Sequence, residues 1–160
     1  MFEIVQAELS DAPEIQKLLT ETWQDTYSDH LSPATLAEVA KNWQSIEFLT
    51  KQITNPSFYF PVAKKDNQIV GLATAHMPED AIILFRLYIY PKHQHQGIGG
   101  QLLEDVVKHF PKAKKVQLYA EEMNPKGPQF YKKHGFKEIR REPQKVVTEV
   151  INQILMEKVL

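Results

Sequence analysis

The chain has no cysteine, and that absence alone removes disulfides, thiolate zinc sites and cysteine nucleophiles. It has no apolar run near the roughly 20 residues that span a bilayer, so no membrane role is expected. It lacks a charge excess of either sign: 19 Lys and Arg stand against 20 Asp and Glu, for a formal net charge of -1. A nucleic-acid binder concentrates basic side chains on one face. Here the one basic cluster, Lys112-Ala113-Lys114-Lys115, reads as a solvated turn, and no nucleic-acid partner is expected. Met1–Val5 has neither the basic nor the apolar region of a signal peptide, so the expected compartment is the cytoplasm. Internal repeats, low-complexity segments and linkers are missing too. Glycine is scarce, six residues in 160, yet three of the six fall within positions 97–100.

The 160 residues, 42% apolar and 24% charged, suit one globular domain with a real core, expected over 1–160. Phe2–Leu9 reads as a strand. Ser10-Asp11-Ala12-Pro13-Glu14 is a helix-start signature, after which Ile15, Leu18, Leu19, Thr22 and Trp23 share a face. Asp25–Leu31 reads as a loop. Ser32-Pro33 opens a second helix through Trp43, and Ser45 caps a third that Asn55-Pro56 ends. Phe58–Lys64 and Ile69–Met77 form a hairpin, in which Gly71 marks a bulge or a close backbone approach. Ile82–Tyr90 is the next strand. A helix to about Phe110, a strand Val116–Glu121, a helix Pro128–His134 closed by Gly135, and strands Phe136–Arg141 and Val150–Val159 complete the chain. The fold class is α+β.

The turn Gln94-His95-Gln96-Gly97-Ile98-Gly99-Gly100 joins an apolar strand to a helix. Unpaired N–H groups and the positive dipole end there form an anion site, and the lack of β-carbons at Gly97 and Gly99 lets a phosphate approach the backbone. A P-loop would need a Lys-Ser/Thr pair after the glycines, and none follows Gly97. A dinucleotide fold would need a third spaced glycine and an alternating β/α order. Neither is present.

Gln94-x-x-Gly97-x-Gly99 after Leu87-Tyr88-Ile89 resembles the cofactor signature of the GNAT-type N-acetyltransferases. A second block, Glu122-x-Asn124-x-x-Gly127-x-x-Phe130-Tyr131-x-Lys133-x-Gly135-Phe136, is similar to that family's other motif. The resemblance covers the whole chain. It implies an α/β/α-layered domain: a mixed, mostly antiparallel sheet of six or seven strands with a splayed central pair, flanked by helices. It implies acetyl-CoA as cofactor, CoA as product and no metal. The pyrophosphate would sit on His95, Gln96, Gly97, Ile98, Gly99 and Gly100 after Gln94. The pantetheine arm would pair with Leu87, Tyr88 and Ile89 and be reached by Asn124, with Phe130 and Lys133 near the thiol and phosphate parts.

By the same resemblance Tyr131 is the general acid for the departing thiolate; a phenol of ordinary pKa near 10 suits an alkyl thiol. The base is open. Many relatives carry a glutamate on the strand before the phosphate turn, where this chain has Phe85. Glu121 or Glu122, or a water relayed by Tyr88 or His76, are the alternatives. His93-x-His95 lacks a third metal ligand. Glu21-Thr22-Trp23-x-Asp25-Thr26-Tyr27 and Leu31-Ser32-Pro33 are similar to bacterial polyamine (spermidine/spermine) acetyltransferases. That likeness makes Trp23, Asp25 and Tyr27 the expected amine wall, an acid beside aromatics suiting a cation.

The expected function is acetyl transfer from acetyl-CoA to a primary amine of a small, polyamine-like molecule, by direct attack in a ternary complex. The alternatives are acetylation of a protein or peptide amine, and a non-catalytic acyl-CoA-binding regulatory module. The final apolar strand (Ile151, Ile154, Leu155, Met156, Val159) could serve a homodimer.

Overall fold

The computed structural model describes all residues, 1–160. Eight strands form one sheet: β1 (Glu3–Gln6), β2 (Phe58–Tyr59), β3 (Pro61–Lys65), β4 (Gln68–His76), β5 (Ala81–Ile89), β6 (Lys115–Glu121), β7 (Lys137–Val146) and β8 (Glu149–Val159). Five helices flank it: α1 (Ala12–Tyr27), α2 (Pro33–Trp43), α3 (Ile46–Thr54), α4 (Ile98–His109) and α5 (Lys126–Lys133). The sheet order is β1-β3-β4-β5-β6-β8-β7, with the short β2 beside β4. Every pairing is antiparallel except β5 with β6, which is parallel and carries α4 as its crossover.

The two faces of the sheet carry separate cores. One packs Ile82, Leu84, Val116, Leu118, Ile154 and Met156 against Leu102, Leu103 and Val106 of α4. The other packs Phe60, Val62, Ile69 and Leu72 against Ile15, Leu18 and Leu19 of α1 and Leu49 of α3. Caps start the helices where the hydroxyls fall: Ser32 Oγ accepts from the Thr35 N–H and Ser45 Oγ from the Phe48 N–H.

Two register shifts govern the functional region. Between β3 and β4 the pairing passes from Ala63–Gly71 to Lys64–Ile69, leaving Val70 over. Gly71 then tolerates no side chain easily, because a Cβ there would lie 2.6 Å from Ile89 Cδ1 and 3.2 Å from the Tyr88 oxygen. Between β4 and β5 the pairing passes from Thr74–Arg86 to Ala75–Leu84, so Phe85 is a bulge residue. A bulge reverses the in-out alternation. Ile82 and Leu84 before it, and Leu87 and Ile89 after it, therefore all reach the α4 core, while Tyr88 and Tyr90 pack on the α1 side. The β5–β6 ladder ends at Leu84–Leu118, directly before the bulge. Beyond that point the two strands part, as the splayed pair of the expected fold requires.

Several boundaries differ from expectation, among them the end of β7, which runs to Val146 rather than Arg141. Asp25–Tyr27 is the last turn of α1 rather than loop, because Trp23 and Tyr27, four residues apart, both find partners inside the protein. The strand expected over Phe58–Lys64 breaks at Phe60 into β2 and β3, which brings the sheet to eight strands. Leu9, expected at the end of the first strand, lies in a 3-10 turn, Leu9–Asp11. No helix is long and apolar enough to cross a membrane.

Where the bulge leaves β4 short of a ladder partner, Glu14 of α1 accepts the Ile69 N–H. Replacing Glu14 by Ala orphans that donor, which costs about 1–3 kcal/mol. For a domain of this size that corresponds to a fall in Tm of roughly 2–12 °C, read by thermal denaturation of Glu14→Ala against the parent chain.

Candidate active site

The glycine turn folds as a cradle because two of its residues take left-handed backbone: His95 at φ 61° and Gly97 at φ 82°. Gly97 is the N-cap of α4, and a Cβ there would meet nothing within 4 Å, so glycine is needed for its backbone angle rather than for space. The N–H groups of Ile98, Gly99 and Gly100 lie in the first turn of α4, where no helical carbonyl precedes them; the ladder begins with Gln101 N–H to Gly97 O at 3.1 Å. His95, Gln96 and Gly97 are exposed, and the buried Ile98 anchors the helix start.

Gly99 and Gly100 also make room for a neighbouring helix. A Cβ on Gly99 would stand 3.1 Å from Phe130 Cζ, and one on Gly100 would stand 3.0 Å from His134 Cε1. The missing β-carbons seat α5 on the first turn of α4. Phe130 is therefore a packing residue between the two helices, and the two sequence motifs form one object. Gln94 also turns inward: its Nε2 donates to the Ile89 carbonyl at 3.2 Å, closing the turn back onto β5. Lys133 is exposed near the end of α5.

On the other side of the turn, Leu87, Tyr88 and Ile89 pair with Ala73, Leu72 and Gly71 of β4. Their opposite edge has no β6 partner, because the β5–β6 ladder has already ended. Across the gap, β6 continues through Glu121 by pairing with β8, Glu121 opposite Gln153.

A single carboxylate occupies this opening. Tyr27, fully buried on α1, donates its hydroxyl to Glu121 Oε2 at 2.9 Å. Burial pushes the Glu121 carboxyl above the ordinary carboxylate range, and the Tyr27 hydrogen bond offsets part of that. Tyr88 and Tyr131 both feel the Glu121 charge. Trp23 completes the group, with its indole N–H donating to the Tyr88 hydroxyl at 3.1 Å and its ring 4.6 Å from that of Tyr27. Burial, then the neighbouring negative groups, raises the Tyr131 phenol well above the ordinary tyrosine range, so it stays protonated. Its ring lies edge-on to Phe130 and Phe136 at 5.3 and 5.4 Å.

Several expected residues fall outside this group. Asp25 is exposed on the far side of α1 from Trp23 and Tyr27, because a helix turns about 200° over two residues. The acid beside the aromatics is Glu121 instead. Glu122 is on the surface, paired with Arg141. His76 stacks on Phe58 at 5.2 Å and pairs with Ile83, five positions along β5 from Tyr88, or about 17 Å. Phe85, half exposed, joins that same aromatic patch. The sequence reading missed two features: the Tyr27–Glu121 bond, which spans 94 residues, and the burial of Arg86 on the α1–α3 side of β5. The alternation Arg86, Tyr88, Tyr90 against Leu87, Ile89 was the available signal for the latter.

A family model described as an acetyltransferase (GNAT) domain matches residues 24–160. Among curated proteins, a spermidine N(1)-acetyltransferase of Thermoplasma acidophilum is 28% identical over 141 residues, covering 84% of this chain and 88% of that protein. Among solved structures, the PaiA N-acetyltransferase of Thermoplasma acidophilum in complex with coenzyme A superposes with a TM-score of 0.87 at 26% identity, covering 100% of this chain and 99% of that one. A GCN5-related N-acetyltransferase of Rhodopseudomonas palustris follows the same fold, with a TM-score of 0.83 at 17% identity over 99% of this chain and 95% of that one.

Glu121 also makes the stability of the protein depend on pH. Its carboxyl binds a proton more tightly folded than unfolded, so the folded state is favoured at low pH and loses that advantage as pH rises through the raised value. Glu121→Gln, which stays neutral and still accepts from Tyr27, is expected to melt higher than the parent chain at pH 8. The difference should shrink to nothing near pH 4, about the unfolded carboxyl value. Melting curves of both proteins across that range check it.

Proposed function

The chain belongs to the GNAT family of acetyltransferases, and we propose that it acetylates a primary amine of a small, polyamine-like molecule by direct attack in a ternary complex. As an acetyl-CoA-dependent N-acetyltransferase it works on an activated acetyl thioester, which acetyl-CoA supplies when bound. The residues fit that cofactor. The turn from His95 to Gly100 offers a helix start free of side chains toward a pyrophosphate, and the free edge of Leu87–Ile89 offers backbone groups to an amide-bearing arm. That the Thermoplasma PaiA structure contains coenzyme A on the same fold supports this placement.

The observation that carries the acceptor reading is the half-buried carboxylate of Glu121, set among Trp23, Tyr27, Tyr88 and Tyr131 where β5 and β6 part. An amine arrives as a cation at neutral pH and must lose a proton before it attacks. A carboxylate among aromatic rings attracts the ammonium, and one with a raised pKa is a better-matched base than an exposed acid. Tyr27 orients it through Oε2. The likeness to a spermidine acetyltransferase supports a polyamine as the first substrate to try.

Tyr131 faces the leaving group. Because its phenol is raised above the ordinary range, it remains a hydrogen-bond donor at any working pH. It stabilises the departing sulfur by that bond more than by surrendering its proton outright. A backbone N–H near Ile89 serves the carbonyl oxygen.

Release of CoA with spermidine, spermine, amino acids and short peptides tests the function; turnover confined to peptides, or absent on all amines, would sink it. Tyr131→Phe is expected to lower kcat more than tenfold with the KM for acetyl-CoA within about twofold. Unchanged turnover would remove Tyr131 from the thiolate role.

A further inference from the structure

One charged side chain beside this site takes no part in the steps above. Arg86 is two positions from Tyr88 and so lies on the same face of β5. It is largely withdrawn from water without a carboxylate beside it. Nη1 donates to Gln52 Oε1 of α3 and to Thr74 Oγ1 of β4, and Nη2 donates to the Trp43 carbonyl at 2.8 Å. Its guanidinium lies 5.9 and 6.0 Å from the ring centroids of Phe48 and Phe60. A withdrawn cation normally keeps an acid as partner. Here burial brings the guanidinium down to about 10, and what faces it is the end of a helix.

Trp43 is the last residue of α2, so the carbonyl that Arg86 holds belongs to the negative end of that helix. The positive end is held in the complementary way. Glu149 Oε2, at the start of β8, accepts from both the Ser32 N–H and the Ser32 hydroxyl at 3.0 Å, where Ser32 is the N-cap of α2. Each end of α2 thus carries a full charge of the sign its dipole favours, delivered from a strand far away in sequence. Between these ends α2 buries only Thr35 and Val39. Its packing is thin, and the two charges are its main fixed points.

The position of α2 gives these fixed points their consequence. The helix starts just after Tyr27, whose carbonyl accepts the Leu31 N–H at 2.8 Å. It runs about 16 Å and ends on Arg86, the neighbour of Tyr88 on its face of β5. Its two ends therefore stand on β5, two residues from Tyr88, and on the start of β8, the strand that pairs with β6 at Glu121.

We infer that Arg86 and Glu149 are positioning residues for the amine: they clamp α2 as the outer wall of the acceptor cleft and so set acceptor recognition without touching the thioester. The inference rests on the reading of the Glu121 group as the acceptor site. Steady-state kinetics of the full chain, with the best amine of the panel above, tests it. Arg86→Met and Glu149→Gln should each raise the KM for the amine at least fivefold, with the KM for acetyl-CoA within twofold. Arg86→Lys, which keeps a charge at the end of α2, should recover part of the loss. Glu142→Gln, whose carboxylate pairs with Arg140 on the surface of β7, should change neither constant. Because Glu149 is only partly buried at the hairpin, its variant tests the clamp even where Arg86→Met folds poorly.

Hydrogen exchange supplies a readout independent of turnover. Peptides spanning 33–43 should exchange faster in both variants, and peptides of α4 should not. An unmoved amine KM, or an acetyl-CoA KM rising in step, overturns the inference. If the parent chain acetylates no amine, the acceptor reading falls and takes the cleft with it; wild-type exchange rates over 33–43 in both variants would then overturn the clamp itself.

Discussion

The interruption of one ladder organises this protein. β5 and β6 pair only from Ala81–Lys115 to Leu84–Leu118, then separate while each keeps its outer partner, β4 on one side and β8 on the other. The bulge at Phe85 supplies the cause: it bends β5 and reverses its alternation at the point where pairing stops. Leaving backbone donors and acceptors unpaired in a sheet is costly unless something else satisfies them. An amide-bearing ligand can do so, which is how a defect in the sheet becomes a binding edge. Without the bulge, Tyr88 and Arg86 would face the α4 core and the carboxylate of Glu121 would be closed over.

The same opening explains the electrostatics. Glu121 pays for its burial in solvation, and its hydrogen-bond partner is the Tyr27 hydroxyl rather than a cation. A lysine or arginine at that place would stabilise the fold better and would repel an ammonium. The site is thus built against local stability, the trade that functional sites make. Much of the compensation lies in α1, whose last turn is ordered by the ring of Trp23 on Tyr27 and by the bond from Tyr27 to β6.

The cofactor side was legible in the sequence to a greater depth than the acceptor side, and the reason is physical. Left-handed turns and helix starts need glycine at fixed spacings, so Gly97 declares itself to a reader of the chain alone. Close helix packing demands it as well, and there the reading stopped short. Gly99 was expected to make room for phosphate, and its β-carbon side holds the ring of Phe130 as well. The acceptor side consists of single side chains from α1, β5 and β6 brought together over separations of 65 and 94 residues. No local spacing encodes such contacts. Asp25 was expected in the amine wall from the likeness to polyamine acetyltransferases and as an acid beside aromatics; once α1 runs on to Tyr27, helical geometry puts it on the opposite side from Trp23 and Tyr27. The strand alternation after Phe85 was there to read in Arg86, Tyr88 and Tyr90 against Leu87 and Ile89, but no glycine or proline marks the change of phase at the bulge itself.

This difference in encoding bears on how such a fold can change its substrate. The cofactor half is made largely of main chain: an edge of β5, a helix start and the packing of α5 upon it. Altering it means altering glycines that hold backbone angles or helix contact, and little else can take their place. The acceptor half depends on side chains whose supports are independent of those glycines. α2 in particular is joined to the sheet mainly by charges at its two ends, from Arg86 on β5 and from Glu149 at the β7–β8 hairpin. Neither support lies on the path from the glycine turn to the thioester. Helix α2 can therefore be moved, tightened or recut without disturbing the glycine turn, and a chain only 17% identical keeps the same fold.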